Sequence, residues 1–408
     1  MKYVFMGGVY PKEIEKELFE KAKGHLSFAA NKHQWNMIKG IDENSSEPMT
    51  IINTYFLPFY PRYAEWKIPT YNWSHVEGAK DVNIGYVNFR GLRNITPTHN
   101  IYLALKRYIE QNQGEKIVVF LYTMRYSQMK AVYKLKQEGE NFHACLIVPD
   151  VPSIIAKYGK RTDIYSRLST KYNLKSLEKY NAIIDSFVLL SEPMKELVKV
   201  GKKPYCIVDG LFSEFEELYL QMPNDGLFRI VYTGSLHREY GICDLLTSFS
   251  KLKGEQYKLL IAGAGNAVEE VKKAQSDDRR IEYLGLLNTD EVKALQLTAS
   301  LLVNPRPIEG IDAKYSFPSK TIEYMLRSRP VLMNRLPGMD KEYENYIFTP
   351  TSCGADNFTD AIKYIFSLPQ SIRLQKAVEA RKFIIENKNH LVQMKKVIDM
   401  VSTFEEMQ

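Results

Sequence analysis

The stretch Tyr315–Met325, YSFPSKTIEYM, decides the reading of this chain. Its spacing predicts a helix from about Pro318, because proline fits a first helical turn, where its missing N–H costs nothing. Lys320 and Glu323 lie three residues apart and so share one helix face, although the rest of the segment is of the kind that packs inward. Amides near Ser319, Lys320 and Thr321 at a helix start favour an anion, and the Lys320 ammonium adds a full charge there. Glu323, one turn deeper, can accept two hydrogen bonds from a sugar diol. Phosphate on the helix start and ribose one turn in describe a nucleoside diphosphate. Taken alone, the same two residues are equally a surface ion pair worth a few tenths of a kcal/mol.

Upstream, LLVNPRP (Leu301–Pro307) reads as a strand ending at Asn304–Arg306, which places Arg306 as a second cation beside the helix start. The loop IEGIDAKYSF separates the two, and its Glu309–Lys314 portion is where the choice of sugar is expected. Similar strand signals recur along the chain: KYVFM, KIVVFLYT, HACLIVPD, SFVLLS, FRIVYTG and YKLLIAGAG. Helical patterns fall between many of them, at 101–112, 128–137, 242–252 and 291–298. Buried strands alternating with helices argue for an α/β protein with doubly wound parallel sheets. At 408 residues the chain exceeds one ordinary core. The polar run QMPNDGL, Gln221–Leu227, stands before a fresh strand and sets a boundary within 200–226. The expected organisation is two Rossmann-like domains, 1–210 and 226–385, facing across a cleft, with a C-terminal helix at 386–408 returning to the first.

Each half opens with a strand followed by glycine, Gly7 and Gly8 in FMGGVY and Gly234 in VYTGSLHREYGI, where a backbone can approach a ligand closely. Neither is G-x-G-x-x-G. IAGAGNAV carries G-x-G without the third glycine and is not in the first βα turn of its half, so the dinucleotide fingerprint is absent.

Composition is that of a globular protein, 45% hydrophobic and 25% charged. Cys145, Cys206, Cys243 and Cys353 are widely spaced, which suits reduced thiols rather than a disulfide framework or zinc site. MKYVFMGG is too short for an export signal, and no segment is long enough to span a bilayer, so a cytoplasmic protein is expected. The net charge of +7 is uneven: residues 1–200 hold 28 Lys+Arg against 20 Asp+Glu, a surplus of +8. A basic stretch with Lys157, Lys160, Arg161, Arg167, Lys171 and Lys175 contributes, together with Tyr158 and Tyr165. That asymmetry suits an anionic membrane surface or a phosphate-bearing substrate, and equally a solvated basic face. No nucleic-acid module is recognisable, so no nucleic-acid partner is expected. No D-x-D triplet occurs, which agrees with a diphosphate neutralised by cations and amides with no metal or other cofactor.

The C-terminal half resembles the nucleotide-sugar-binding domain of GT-B glycosyltransferases, especially glycosyltransferase family four. The segments that carry this are VYTGSLHREYGICDLLTSF, YKLLIAGAG, IEYLGLL, TDEVKALQLTASLLVNPR and, most specifically, YSFPSKTIEYMLRSRPVLM. AANKHQWNMIKGI and IVPDVP in the N-terminal half are similar to bacterial polysaccharide-assembly members of the group. The resemblance implies a retaining transferase that moves a sugar from a nucleotide-sugar to a glycan acceptor, held on a membrane-bound lipid. It implies that Glu323 binds the donor ribose, that Lys320 and the Ser319 backbone contact the diphosphate, and that Gly234 and Ser235 lie beside it. It further implies that Leu287 in YLGLL meets the base and that Gly7 and Gly8 form a loop near donor and acceptor. The family's paired glutamates would put the first at 315, where this chain has Tyr315; the Arg and Lys that many relatives carry after the first strand of the second domain are here Ser235 and Tyr240. Arg306 with Lys320 are then the candidates for charge neutralisation.

On the acceptor side Asp150, at the end of HACLIVPD, is the chosen acid, with His99 and Tyr122 as weaker choices. A turn aspartate before Pro152 is an equal reading. Two other functions remain open: a sugar-nucleotide epimerase on the same architecture, and a non-catalytic sugar-nucleotide-binding scaffold. A phosphorylase on that architecture would often need a pyridoxal lysine, for which no motif is evident.

Overall fold

A computed structural model describes residues 1–23, 26–149, 175–215, 217, 221, 223, 225–309, 311–315, 317–352 and 354–403. The chain divides into two compact units, residues 1–213 with 390–408, and residues 214–389. Asp150 and the basic residues from Lys157 to Lys171, with Tyr158 and Tyr165, lie outside the described residues; Lys175 is exposed.

The first unit opens with β1 (Lys2–Gly7), α1 (Lys12–Lys21), α2 (Phe28–Glu43) and β2 (Thr50–Asn53). Short strands β3 (Lys67–Ile68), β4 (Tyr71–Trp73), β5 (Asp81–Asn83) and β6 (Tyr86–Val87) follow. Then come α3 (Thr96–Gln111), β7 (Ile117–Tyr122), α4 (Tyr126–Gln137), β8 (His143–Val148), β9 (Ser186–Leu189), α5 (Met194–Val198) and β10 (Tyr205–Ile207). Eight strands form one sheet in the order β10-β9-β8-β7-β1-β2-β5-β4, parallel except where β4 meets β5. Strands covered on both faces must be apolar throughout, and all six residues of β7, IVVFLY, are buried. The helix expected from 101 begins at Thr96, because Pro97 occupies its first turn.

A buried imidazole ties α2 to the sheet. His75 Nε2 lies 2.8 Å from Asp42 and its Nδ1 2.7 Å from Asp81. Burial opposes the charged ring, but the two carboxylates outweigh it and raise His75 to about 9.

The second unit holds β11 (Phe228–Thr233), α6 (Ile242–Ser250), β12 (Tyr257–Ala262), α7 (Val268–Asp277), β13 (Ile281–Tyr283), α8 (Thr289–Leu297) and β14 (Leu301–Asn304). After these come α9 (Ile311–Tyr315), α10 (Lys320–Leu326), β15 (Val331–Met333), α11 (Ala355–Ser367) and α12 (Gln370–Asn387). Its five parallel strands run β13-β12-β11-β14-β15. In order of appearance this is 3-2-1-4-5, the doubly wound arrangement, whose direction of winding reverses between β11 and β14. Ile230, Leu259, Ile261, Leu301 and Val303 form the core with Leu245, Phe249 and Ile362.

The last helix, α13 (His390–Thr403), belongs to the first unit. Met394, Val397, Ile398 and Val401 join Met37, Ile38 and Ile41 of α2 in one buried cluster.

Candidate functional site

Ligands of doubly wound sheets bind at strand carboxyl ends, where the winding reverses. In the second unit that point is flanked by Gly234 after β11 and Arg306 after β14. Gly234 has φ +151 and Gly263, after β12, has φ +143; a Cβ on Gly263 would sit 1.8 Å from the Gly234 carbonyl oxygen. The two strand ends can approach only as glycines, which gives the GAG of YKLLIAGAG a structural part at this point that its position in the sequence did not suggest.

Helix α10 begins at Lys320, with Ser319 as N-cap. Pro318 therefore stands before the helix rather than in its first turn, and its carbonyl accepts the Thr321 amide at 2.8 Å. Of the three amides expected to face an anion, that of Thr321 is already engaged. Lys320 runs alongside the first strand end: a Cβ on Gly234 would lie 3.4 Å from its Cε. Its Nζ is 2.9 and 3.1 Å from the two carboxylate oxygens of Glu323. About a third of each of these side chains is exposed, and pairs of this kind contribute at most about 1 kcal/mol. A phosphate can therefore draw Lys320 away at small cost and leave the carboxylate to a diol.

Glu323 is held from behind by residues that the sequence did not single out. Buried Gln296 of α8 donates from Nε2 to Glu323 at 2.5 Å and to Thr233 Oγ1 at 2.8 Å. Its carbonyl oxygen accepts from Arg327 Nε at 2.9 Å, which fixes the direction of the amide. The helix that carries Gln296 is started by a reciprocal cap between Asn288 and Glu291. Tyr324 OH accepts from the Thr233 amide at 2.9 Å and donates to the Thr233 carbonyl at 3.0 Å, which locks the end of β11.

Arg306 stacks on Tyr240, its guanidinium carbon 5.1 Å from the ring centre. Ser235 is exposed, and its carbonyl accepts from Tyr232 OH at 2.8 Å. Leu287 is half-buried in the segment after β13, where the Gly285 carbonyl accepts the Gly263 amide at 2.8 Å.

In the first unit Gly7 ends β1, and Gly8 receives Gln34 Oε1 on its amide at 2.8 Å. Both glycines are buried, with Phe56 lying where a Gly8 side chain would go. Tyr122 at the end of β7 is buried, 3.1 Å from His33 Nδ1. Burial lowers His33 to about 4, so this ring is neutral at pH 7. His99 is exposed on α3, stacked on Tyr102. Among the described residues no group of His, Cys, Asp or Glu could hold a metal ion, and no helix is long and apolar enough to cross a membrane.

Residues 228–367 match the family model "Glycosyl transferases group 1". The match falls wholly within the second unit. Solved structures are similar over the whole chain. Sucrose-phosphate synthase from Thermosynechococcus elongatus aligns with a TM-score of 0.65 and 11% identity over 100% of both chains. The lipopolysaccharide outer core galactosyltransferase WaaB, in its apo form, aligns at 0.62 and 13% over 99% of each. A variant of S. aureus TarM, solved with Fondaparinux, alpha-GlcNAc-glycerol and UDP, aligns at 0.60 and 10% over 98% of this chain and 99% of that one. The fold is GT-B. A shorter stretch of 139 residues is 30% identical to glutamate racemase of Clostridium botulinum, covering 33% of this chain and 52% of that protein. The chain thus spans about half the length of the curated relatives it matches. Gly234, Gly263, Gln296, Arg306, Lys320 and Glu323 all lie within the matched residues.

Proposed function

We propose that this chain is a retaining glycosyltransferase of family-four type. It moves a sugar from a nucleotide-diphosphate sugar to a glycan acceptor carried on a membrane lipid, in bacterial surface-polysaccharide synthesis. The observation that carries this reading is the Lys320–Glu323 pair backed by Gln296 and laid against Gly234, where the winding of the sheet reverses. On binding, Lys320 leaves Glu323 for the diphosphate, and Glu323, oriented by Gln296, accepts the ribose hydroxyls. The Ser319 backbone and the close-packed Gly234–Ser235 turn border the phosphates. Arg306, stacked on Tyr240, supplies positive charge for the diphosphate. The segment with Leu287 borders the base. Breaking the sugar–phosphate bond leaves negative charge on the diphosphate, and preorganised cations stabilise that charge as it develops. No metal or cofactor is required in this scheme. Asp150 is assigned to the acceptor side as the carboxylate an oxocarbenium-like sugar would benefit from.

The acceptor lies on the first unit, whose basic surplus favours an anionic surface at the inner face of the cell membrane. Salt-sensitive sedimentation with anionic vesicles, weakened by charge reversal at Lys160, Arg161 and Arg167, is the expected result; no sedimentation at low salt removes the membrane from the reading.

The test of the donor is a thermal-shift screen against UDP-, GDP-, ADP- and CMP-sugars, followed by hydrolysis of the one that binds. One nucleotide-sugar should raise the midpoint and be slowly hydrolysed. UDP-sugars come first, since UDP was bound in the TarM structure. No shift with any of them would overturn the reading. Turnover of a donor into an epimer without acceptor would replace it with an epimerase.

A further inference from the structure

The first unit has its own point of reversal. From β1 the sheet extends through β2 and β5 on one side and β7 to β10 on the other. The residues after β1 and β7 therefore occupy the place where a doubly wound sheet takes a ligand. Four independent features gather there.

The first is a cation without a counter-ion. Arg125, just past β7, is half-buried, with its guanidinium carbon 4.2 Å from the centre of the Phe56 ring. Its Nη1 donates to the Thr54 carbonyl at 3.1 Å. Among the described residues no carboxylate pairs with it. Burial first, and neighbouring Arg93 against the help of Tyr86 and Tyr10, hold its pKa down at about 10. A buried charge left unpaired is costly.

The second is the start of a helix with nothing on it. Arg125 is the N-cap of the twelve-residue α4, no side chain caps its amides, and no acid lies in its first turn. Such an end carries partial positive charge and favours an anion.

The third is strain. Thr123, between β7 and Arg125, has φ +64, a left-handed conformation that a β-branched residue rarely adopts. The turn that aims Arg125 is thus held against local preference, and strain of this kind gathers at ligand sites. The fourth is a buried hydroxyl, Thr54 Oγ1, that makes no hydrogen bond among the described residues and is free to donate one; Gln128 Oε1, also unpaired, is an acceptor and offers nothing to an anion. Gln128 reaches the Gly7 carbonyl with its Nε2 at 3.3 Å, so it belongs to the same strand ends.

From these features we infer that the first unit holds a phosphate or diphosphate of the acceptor at the carboxyl ends of β1 and β7, with Arg125 as its bidentate partner and the amides of α4 as its second support. The inference rests on the reading of the first unit as the acceptor side. A guanidinium fork matches two phosphate oxygens, and a dianion neutralises both the buried charge and the helix end. The same chemistry is offered by a lipid diphosphate and by a sugar phosphate. Further cations gather in the same unit: Arg62, Arg90 and Arg93 approach the Phe59 ring at 5.4, 6.0 and 5.8 Å, and Arg93 is near enough to Arg125 to depress its pKa.

The intact protein is titrated with inorganic pyrophosphate by calorimetry. Two sites are expected. One is lost in Lys320→Ala and belongs to the donor; the other is weakened at least ten-fold in Arg125→Met, whose thermal midpoint without pyrophosphate is unchanged or raised because an unpaired buried charge is gone. Arg125→Met binding pyrophosphate like the wild type overturns the inference and leaves the donor reading to be judged on Lys320→Ala alone. Should Arg125→Met fail to fold, Arg125→Lys keeps the charge and loses the fork. At least three-fold weaker binding is then expected, and unchanged binding overturns the inference. Geranyl diphosphate and glucose 1-phosphate, titrated in parallel, distinguish the sources. Tighter binding of the first assigns the anion to a lipid carrier and of the second to a sugar phosphate.

Discussion

Tyr324 OH holds both backbone polar groups of Thr233, 91 residues away, accepting from the amide at 2.9 Å and donating to the carbonyl at 3.0 Å. A side chain on α10 thus does for the end of β11 what a further strand would do. Because Glu323 precedes Tyr324 on the same helix, the lock also sets the distance between the carboxylate and Gly234.

Tyr324→Phe leaves a buried amide and carbonyl with reduced pairing. The expected loss is about 1–3 kcal/mol of stability, with a fall in nucleotide affinity at temperatures where the protein is still folded. Thermal unfolding and calorimetric titration of the variant measure the two separately, and unchanged affinity would detach Tyr324 from the site.

On the proposed reading, Lys320→Ala and Glu323→Ala each remove a charged hydrogen-bonding partner of the donor. Each should weaken nucleotide-sugar binding by more than about 1 kcal/mol. Stability without ligand should change by less than that, since the pair is partly exposed. Calorimetry giving wild-type affinity in both variants would remove the pair from the site.

The clamp on His75 makes a pH prediction. The folded ring titrates at about 9 and the unfolded one at about 6.5. The clamp's contribution is therefore complete below pH 6.5, declines as pH rises through 9, and amounts to roughly 3 kcal/mol. The midpoint of wild-type protein should fall between pH 7 and 9.5 more steeply than that of His75→Gln. Parallel curves for the two proteins would show that the ring carries no such linkage.

Turnover should persist in EDTA if, as proposed, Lys320 and Arg306 provide the positive charge for the leaving diphosphate. Activity lost on chelation and restored by magnesium or manganese would replace this scheme with a metal-assisted one.

The strands were legible because parallel strands are covered on both faces and so appear as continuous apolar runs, of which β7 is the clearest. Lys320 and Glu323 were legible because their relation is local, one helical turn. Gln296 and Tyr324 were not, since their roles depend on partners brought together by the sheet; nothing in QLTAS distinguishes Gln296 from a surface amide. Gly263 was set aside because it lies outside the first βα turn, yet it approaches Gly234 where neighbouring strands end together. Arg125 resembled any basic residue before a helix, and its lack of a counter-ion among the described residues is a property of space, not of sequence.

The position of α13 bears on how the chain is made. The first unit is built from two stretches separated by the whole second unit, and Met394, Val397, Ile398 and Val401 complete a cluster begun by Met37, Ile38 and Ile41. On a ribosome, where domains generally fold as they emerge, residues 214–389 are all available before α13 is. The half of the molecule that is synthesised first is therefore the half that is finished last, and until the final helix arrives its α2 face stays uncovered.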